Sequence, residues 1–195
     1  MVAASSADLA LPQSGGVQKA LEGTLVLDLA DGRTVYMIGV GGTKRGFVTS
    51  AVFTALGYNF ASLPKINLSD YPSGSPIGDA NLPHPDGALV LQGSTIWWIR
   101  GSLKQGFESM AVFNTYGFSL KKVVKANATD GALTEGAIVK FRDGTLVYDG
   151  GTYYLISDGM KKIFSSSADL TARGYKTSNA ISASLGAYTS GGSVQ

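Results

Sequence analysis

Two adjacent tryptophans, Trp97 and Trp98, stand in the run TIWWIR, and a lysine follows at position 104. Exposed aromatic faces stack on sugar rings, and an ammonium beside them attracts an anionic glycan. The same pairing recurs as Tyr36 with Lys44-Arg45 and as Tyr154 with Lys161-Lys162. Trp97, Trp98, Tyr36, Tyr154, Lys44, Lys104, Lys161 and Lys162 are therefore the candidate ligand contacts. Strand alternation sends neighbouring side chains to opposite faces, so one member of each aromatic pair is scaffold and the other points outward. The lysines fall at the same turn in each copy. There they form either a basic rim for an anionic polymer or solvated turn residues that protect a sheet edge.

The remaining reactive groups carry less. His84 is the single histidine and lies in a proline-flanked connection, where it reads as neither metal ligand nor catalytic base. Asp31, Asp86 and Asp143 each precede a glycine, where aspartate serves the local hydrogen bonds of a turn. Ser165–Ser167 has no repeated basic partner and reads as a helix cap. The GVGG cluster at Gly39–Gly42 lacks the dinucleotide fingerprint and fits a widened turn. With no cysteine, disulfides and thiolate metal sites are excluded. No catalytic residue, metal site or cofactor is expected, and the chain is read as a non-enzyme.

The elements that position these residues come in three copies. TVYMI (Thr34–Ile38), TIWWI (Thr95–Ile99) and TYYLI (Thr152–Ile156) are aromatic strands, each preceded by GTLV or GALV at Gly23, Gly87 and Gly144. From Phe47, Phe107 and Phe164 the copies run without a gap to Gly57, Gly117 and Gly174. Each of these glycines is followed by an aromatic residue. Between them a hydroxyl at Thr49, Ser109 or Ser166 caps a short helix that the glycine ends in the left-handed conformation. A strand bearing Ile66, Val124 or Ile181 follows, then YPSGSPI, LTEGAIV or YTSGGSV. The spacing predicts a β-rich α+β fold of three tandem β-β-α-β repeats that share a core, as a ring or a linear array.

The expected organisation is a flexible arm at 1–13, repeat 1 at 14–77, a linker at 78–86, repeat 2 at 87–139 and repeat 3 at 140–195. SGGVQ before repeat 1 resembles SGGSVQ at the end of repeat 3. Gly16, Val17 and Gln18, with Gly192, Ser193 and Val194, are thus read as unit-opening strands at both ends. Such strands either close the chain on itself or template another molecule.

Only 15% of residues are charged and the net charge is +2, which gives no concentrated basic face for nucleic acid. No run approaches the roughly 18–20 apolar residues of a membrane span. Asn67-Leu68-Ser69 and Asn127-Ala128-Thr129 are glycosylation sequons that matter only in a glycosylating host.

DGTLV (Asp143–Val147), TYYLISDGMKKIF (Thr152–Phe164), RGY (Arg173–Tyr175) and NLSDYPSGSPI (Asn67–Ile77), in this order within the unit, resemble tandem modules of bacterial secreted and cell-surface proteins. Their pattern runs DG-(S/T)-L-V, VYLI-x-NGKK-x-x-F, a short helix ending in GY or GF, and YP-x-G. The second copy has RGSLKQ at the NGKK turn. The resemblance implies an extracellular, non-catalytic surface module and supplies no catalytic residues. The expected function is a structural or assembly subunit of the cell surface, homo-oligomeric or polymeric. The alternative is a carbohydrate-binding module for cell-wall or surface glycans.

Overall fold

The computed structural model describes residues 19–195, so the 1–13 arm and the strand expected at Gly16, Val17 and Gln18 lie outside the described residues. The fold is β-rich, with three sheets of four or five strands and few short helices.

In the first sheet, β1 (Leu25–Asp28), β2 (Val35–Ile38) and β3 (Lys44–Gly46) form an antiparallel meander. Helix α1 (Ser50–Ala55) follows, and β4 (Lys65–Ile66) returns parallel to β1. The second sheet repeats this plan with β5 (Leu89–Gln92), β6 (Thr95–Arg100), β7 (Leu103–Gly106) and β8 (Val123–Lys125). The third repeats it with β10 (Leu146–Asp149), β11 (Thr152–Ser157), β12 (Met160–Ile163) and β13 (Ile181–Ser182). A fifth strand runs parallel to the third meander strand: β9 (Thr134–Glu135) on β7 and β14 (Ser190–Ser193) on β12. The first sheet reduces that strand to a bridge between Lys44 and Ser73.

The second and third units are therefore β-β-β-α-β-β, two strands longer than the β-β-α-β expected from sequence, and the first is β-β-β-α-β. The missed third strand is short and polar: KRG, LKQG and MKKI carry lysines where an apolar alternation would mark a strand. The turns before it require left-handed backbone, at Gly101-Ser102 and at Asp158-Gly159. In the first sheet the same connection widens to a 3-10 turn over Val40–Gly42.

The helices begin and end where the sequence places them. The hydroxyls of Thr49, Ser109 and Ser166 accept from the backbone N–H of Val52, Val112 and Asp169. Gly57, Gly117 and Gly174 follow at φ between +72° and +83°. Helix α2 is Met110–Thr115 and α4 is Ser167–Ala172.

Two compact units divide the described chain. One holds residues 19–107 and 119–139; the other holds 108–118 and 140–195. The division passes through the second repeat, so helix α2 groups with the third sheet's unit, and the 78–86 connection lies inside the first unit.

In that first unit, Val35, Met37, Phe53, Leu56, Tyr58 and Ile77 form a core on the helix side of sheet one. Val124 of the second sheet packs against this core, and an added Cβ at Gly57 would touch it. The opposite face packs Val26, Ile38 and Leu68 with Tyr36 and Tyr71. In the other unit, Leu146, Phe164 and Leu170 make the corresponding helix-side core with Leu155 and Tyr175.

Candidate functional site

Strand pairing decides what each aromatic residue does. Tyr36, Trp97 and Tyr154 occupy the same register position, opposite Gly46, Gly106 and Ile163 of the neighbouring strand. Their faces are half-buried and each carries a lysine from that neighbouring strand. Lys44 Nζ lies 5.7 Å from the Tyr36 ring centre, Lys104 Nζ 5.0 Å from Trp97 and Lys161 Nζ 5.6 Å from Tyr154.

Each ammonium also donates to a main-chain carbonyl of the segment that follows the unit's parallel strand. Lys44 reaches Leu68 at 2.9 Å, Lys104 reaches Gly131 at 3.0 Å and Lys161 reaches Leu185 at 2.9 Å. Lys104 is the deepest, 7% exposed, and adds Gln92 Oε1 at 3.1 Å and Glu135 Oε1 at 3.9 Å.

The lysines are thus not turn residues, as the sequence suggested, but strand residues that tie a loop to the sheet through an aromatic face. The misreading follows from taking the NGKK pattern as one continuous turn, when the left-handed pair ends before the lysines. Lys162 is half-buried and pairs instead with the exposed Asp158 at 3.4 Å. Trp98 is buried on the helix-side face, stacked 6.3 Å from Phe107 and covered by the Arg100 guanidinium at 4.6 Å.

A second repeated arrangement was not foreseen. Three residues before each opening glycine, the chain donates a backbone N–H into the same place. Ala20 N–H donates to the Tyr71 hydroxyl at 2.8 Å, and Phe141 N–H donates to the Tyr188 hydroxyl at 2.8 Å. Lys19 and Lys140 cover those two tyrosine rings at 5.4 Å and 4.9 Å. The Tyr188 hydroxyl also donates to Glu108 Oε2 at 2.9 Å.

The second copy has Leu133 where the others have tyrosine. Here the donor is His84 N–H, and Asp130 Oδ1 accepts it at 2.7 Å. Asp130 belongs to the short helix α3 (Ala128–Gly131), which Asn127 and Asp130 close with a capping box. The Asp130 carboxylate also faces His84 Nδ1 at 2.6 Å, and His84 Nε2 faces the Leu56 carbonyl at 2.9 Å. Both side chains are buried, at 3% and 1% exposure.

Burial alone would raise the Asp130 carboxyl. Hydrogen bonds from the His84 ring, the His84 N–H and the Asn127 N–H outweigh it and hold the group below the usual carboxylate range. Asn127 Nδ2 further donates to the carbonyls of Ala80 and Leu82, and Thr129 Oγ1 to that of Asn81. The second sequon therefore fastens the 78–86 connection in place, while Asn67 is exposed in a turn that closes on Ser69 N–H. The signal for this site was present in the sequence as an absence: a leucine at a tyrosine position leaves a buried donor that another acceptor must take.

Beside His84 lies an open cleft of about 260 Å³, lined by Arg45, Asp79, Asp86 and Ser102 among prolines and aliphatic residues. The turn aspartates are engaged locally. Asp31 accepts from the Thr34 hydroxyl and from the N–H groups of Arg33 and Thr34, which brings its carboxyl down to about 2. Asp143 accepts from Gly159 N–H, and Asp149 from Leu185 N–H.

Gly192 and Ser193 lie in β14, and Val194 N–H donates to Ile163 O at 2.9 Å. This strand closes the third sheet of its own unit, as β9 closes the second. It is the last strand of its own repeat.

Among the described residues, no cluster of three or more histidine or acidic side chains is placed to hold a metal ion. No described helix is long and apolar enough to cross a membrane.

No family model matches the chain, and no curated protein matches it. Among solved structures it is similar to a chain of the intact ESX-5 inner membrane complex, at 12% identity and a TM-score of 0.25, over 87% of this chain and 51% of that one. It is also similar to a chain of the periplasmic assembly from that complex, at 12% identity and a TM-score of 0.24, over 88% and 59%. The chain spans just over half the length of those two.

Proposed function

We propose that this protein is a non-catalytic structural component of the cell surface, an extracellular assembly subunit belonging to the tandem-module family its sequence resembles. The observation that carries this reading is the repeated lysine–aromatic–carbonyl stack. At all three equivalent positions the groups with the most chemistry bind one another and a loop of their own unit. The same holds for the sole histidine, whose two ring nitrogens both face protein acceptors and leave no nitrogen for a substrate. Asp31, Asp143 and Asp149 are likewise held by N–H or O–H groups.

Assembly in this reading does not need exchange of the terminal strand, because β14 has its partner in β12. Contact between subunits instead uses exposed apolar residues such as Leu29, Val48 and Ile138. Light scattering over a concentration series, with electron microscopy of the concentrated sample, is expected to give ordered oligomers or arrays that dissociate on dilution. A strictly monomeric species at every concentration would contradict the assembly reading.

Recognition of a surface glycan is the second reading, and one observation favours it. Tyr148 is 38% exposed and tilted against Tyr153, with ring centres 4.8 Å apart, on a sheet face. If a glycan array shows binding, Tyr148→Ala is expected to remove it and Trp97→Ala to leave it. The reverse pattern would move the contact back to the tryptophan.

A further inference from the structure

One arrangement recurs where the helix of a repeat meets the opening segment of the next. In the first unit, the Leu56 carbonyl at the end of α1 faces the His84 ring at 2.9 Å, three residues before Gly87. In the other unit, the Tyr116 hydroxyl at the end of α2 donates to the Lys140 carbonyl at 3.1 Å. Glu108, just before the α2 cap, accepts from the Tyr188 hydroxyl at 2.9 Å. The residues closed over in this way, His84, Phe141 and Tyr188, are all buried.

The helix of the third repeat and the opening of the first carry the same groups without these partners. Arg173 stands at the position of Leu56 and Tyr116 but is exposed. Its Nε pairs with Asp169 at 2.8 Å, and its terminal nitrogens make no hydrogen bond among the described residues. Ser165 stands at the position of Glu108 and is also exposed. Tyr71 accepts from Ala20 N–H as Tyr188 does from Phe141 N–H, yet its hydroxyl proton has no acceptor among the described residues. Tyr71 and Ala20 are half-buried where their counterparts are buried, and Leu21 beside them is 48% exposed.

We propose that the helix end of the third repeat docks on the opening segment of the first repeat of a second copy. The Arg173 guanidinium replaces the Tyr116 hydroxyl and donates to the Lys19 carbonyl. Ser165 replaces Glu108 and accepts from the Tyr71 hydroxyl. The occupant is a second copy because both halves lie on this chain and continue the junction it already makes between its second and third repeats. This docking rests on the assembly reading above and gives it a direction: the contact is head-to-tail, so it builds rings or filaments.

Sedimentation equilibrium of two variants tests the docking. Ser165→Ala with Arg173→Ala damages the helix face, and Tyr71→Phe damages the opening face. Each variant alone is expected to associate about tenfold more weakly than wild type, the scale of one or two lost hydrogen bonds. An equimolar mixture is expected to form dimers of wild-type strength and to stop there, because each pair joins the two intact faces and leaves the two damaged ones. Variants that associate like wild type, or a mixture no stronger than its parts, overturn the docking and leave the assembly reading standing. A wild type that is monomeric at every concentration overturns both. Leu21→Lys is the second opening-face variant should Tyr71→Phe not fold.

Discussion

Gly87→Ala is expected to remove about 3–5 kcal/mol of stability, lowering the thermal midpoint by roughly 10 °C or more. Two effects combine at this position. Gly87 sits at φ +94°, a conformation that L side chains rarely adopt. An added Cβ would also collide with the Gly23 backbone, and the reciprocal substitution would drive a Cβ into the Gly87 carbonyl. The two opening glycines of GTLV and GALV thus meet backbone to backbone, with no room for a methyl group on either. Gly93→Ala is the control. Gly93 also has positive φ, at +61°, but nothing lies within 4 Å of an added Cβ, so about 1 kcal/mol is expected. Circular dichroism melts of the two variants separate close approach from backbone strain, and equal losses would show that strain alone accounts for Gly87.

Asp130→Ala is expected to cost about 3–5 kcal/mol, because it leaves several buried groups without their acceptor at about 1–3 kcal/mol each. The substitution strands His84 Nδ1, the His84 N–H and the Asn127 N–H at once. Asp130→Asn keeps one accepting oxygen but turns an NH2 toward an N–H that the other oxygen accepts, so a smaller loss, about 2 kcal/mol, is expected. The wild-type dependence on acid follows from the lowered carboxyl. Its stabilisation is fully present above the ordinary aspartate range and is lost as pH falls through the still lower folded value. Urea midpoints between pH 7 and pH 2 check this. An unfolding free energy for Asp130→Ala within about 0.5 kcal/mol of wild type would show that the pair is not structurally important.

Much of the local structure was legible because single residues dictate it. Thr49, Ser109 and Ser166 cap helices by donating no backbone information beyond a hydroxyl at the right place. The glycines eight residues later stop the helices because only they take the left-handed conformation cheaply. The aromatic strands were legible because three copies agreed.

The third meander strand was not, since its residues are lysines and glycines whose place in the sheet comes from pairing with β2, β6 or β11 rather than from propensity. The grouping of α2 with the third sheet's unit was equally hidden, because sequence order assigns a helix to the strands beside it. At the site, the aromatic–lysine repeat was visible while its role was not. Whether a lysine points to solvent or into a carbonyl depends on a loop some 24 residues away, as for Lys44 and Leu68 or Lys161 and Leu185. The pairing of His84 with Asp130 spans 46 residues and has no local signature at all.

The central claim is that the repeated lysine–aromatic stacks are scaffold, and Lys→Met substitution at positions 44, 104 and 161 tests it most directly. Each variant is measured by urea unfolding and on an array of anionic and neutral glycans. The expected order of destabilisation follows burial and bonding: about 2 kcal/mol for Lys104, with its two hydrogen bonds, and about 1 kcal/mol for Lys44 and Lys161, with one each. Glycan signals are expected to match wild type in all three. Variants as stable as wild type that lose binding to an anionic glycan would contradict the account and make the stacks a ligand site.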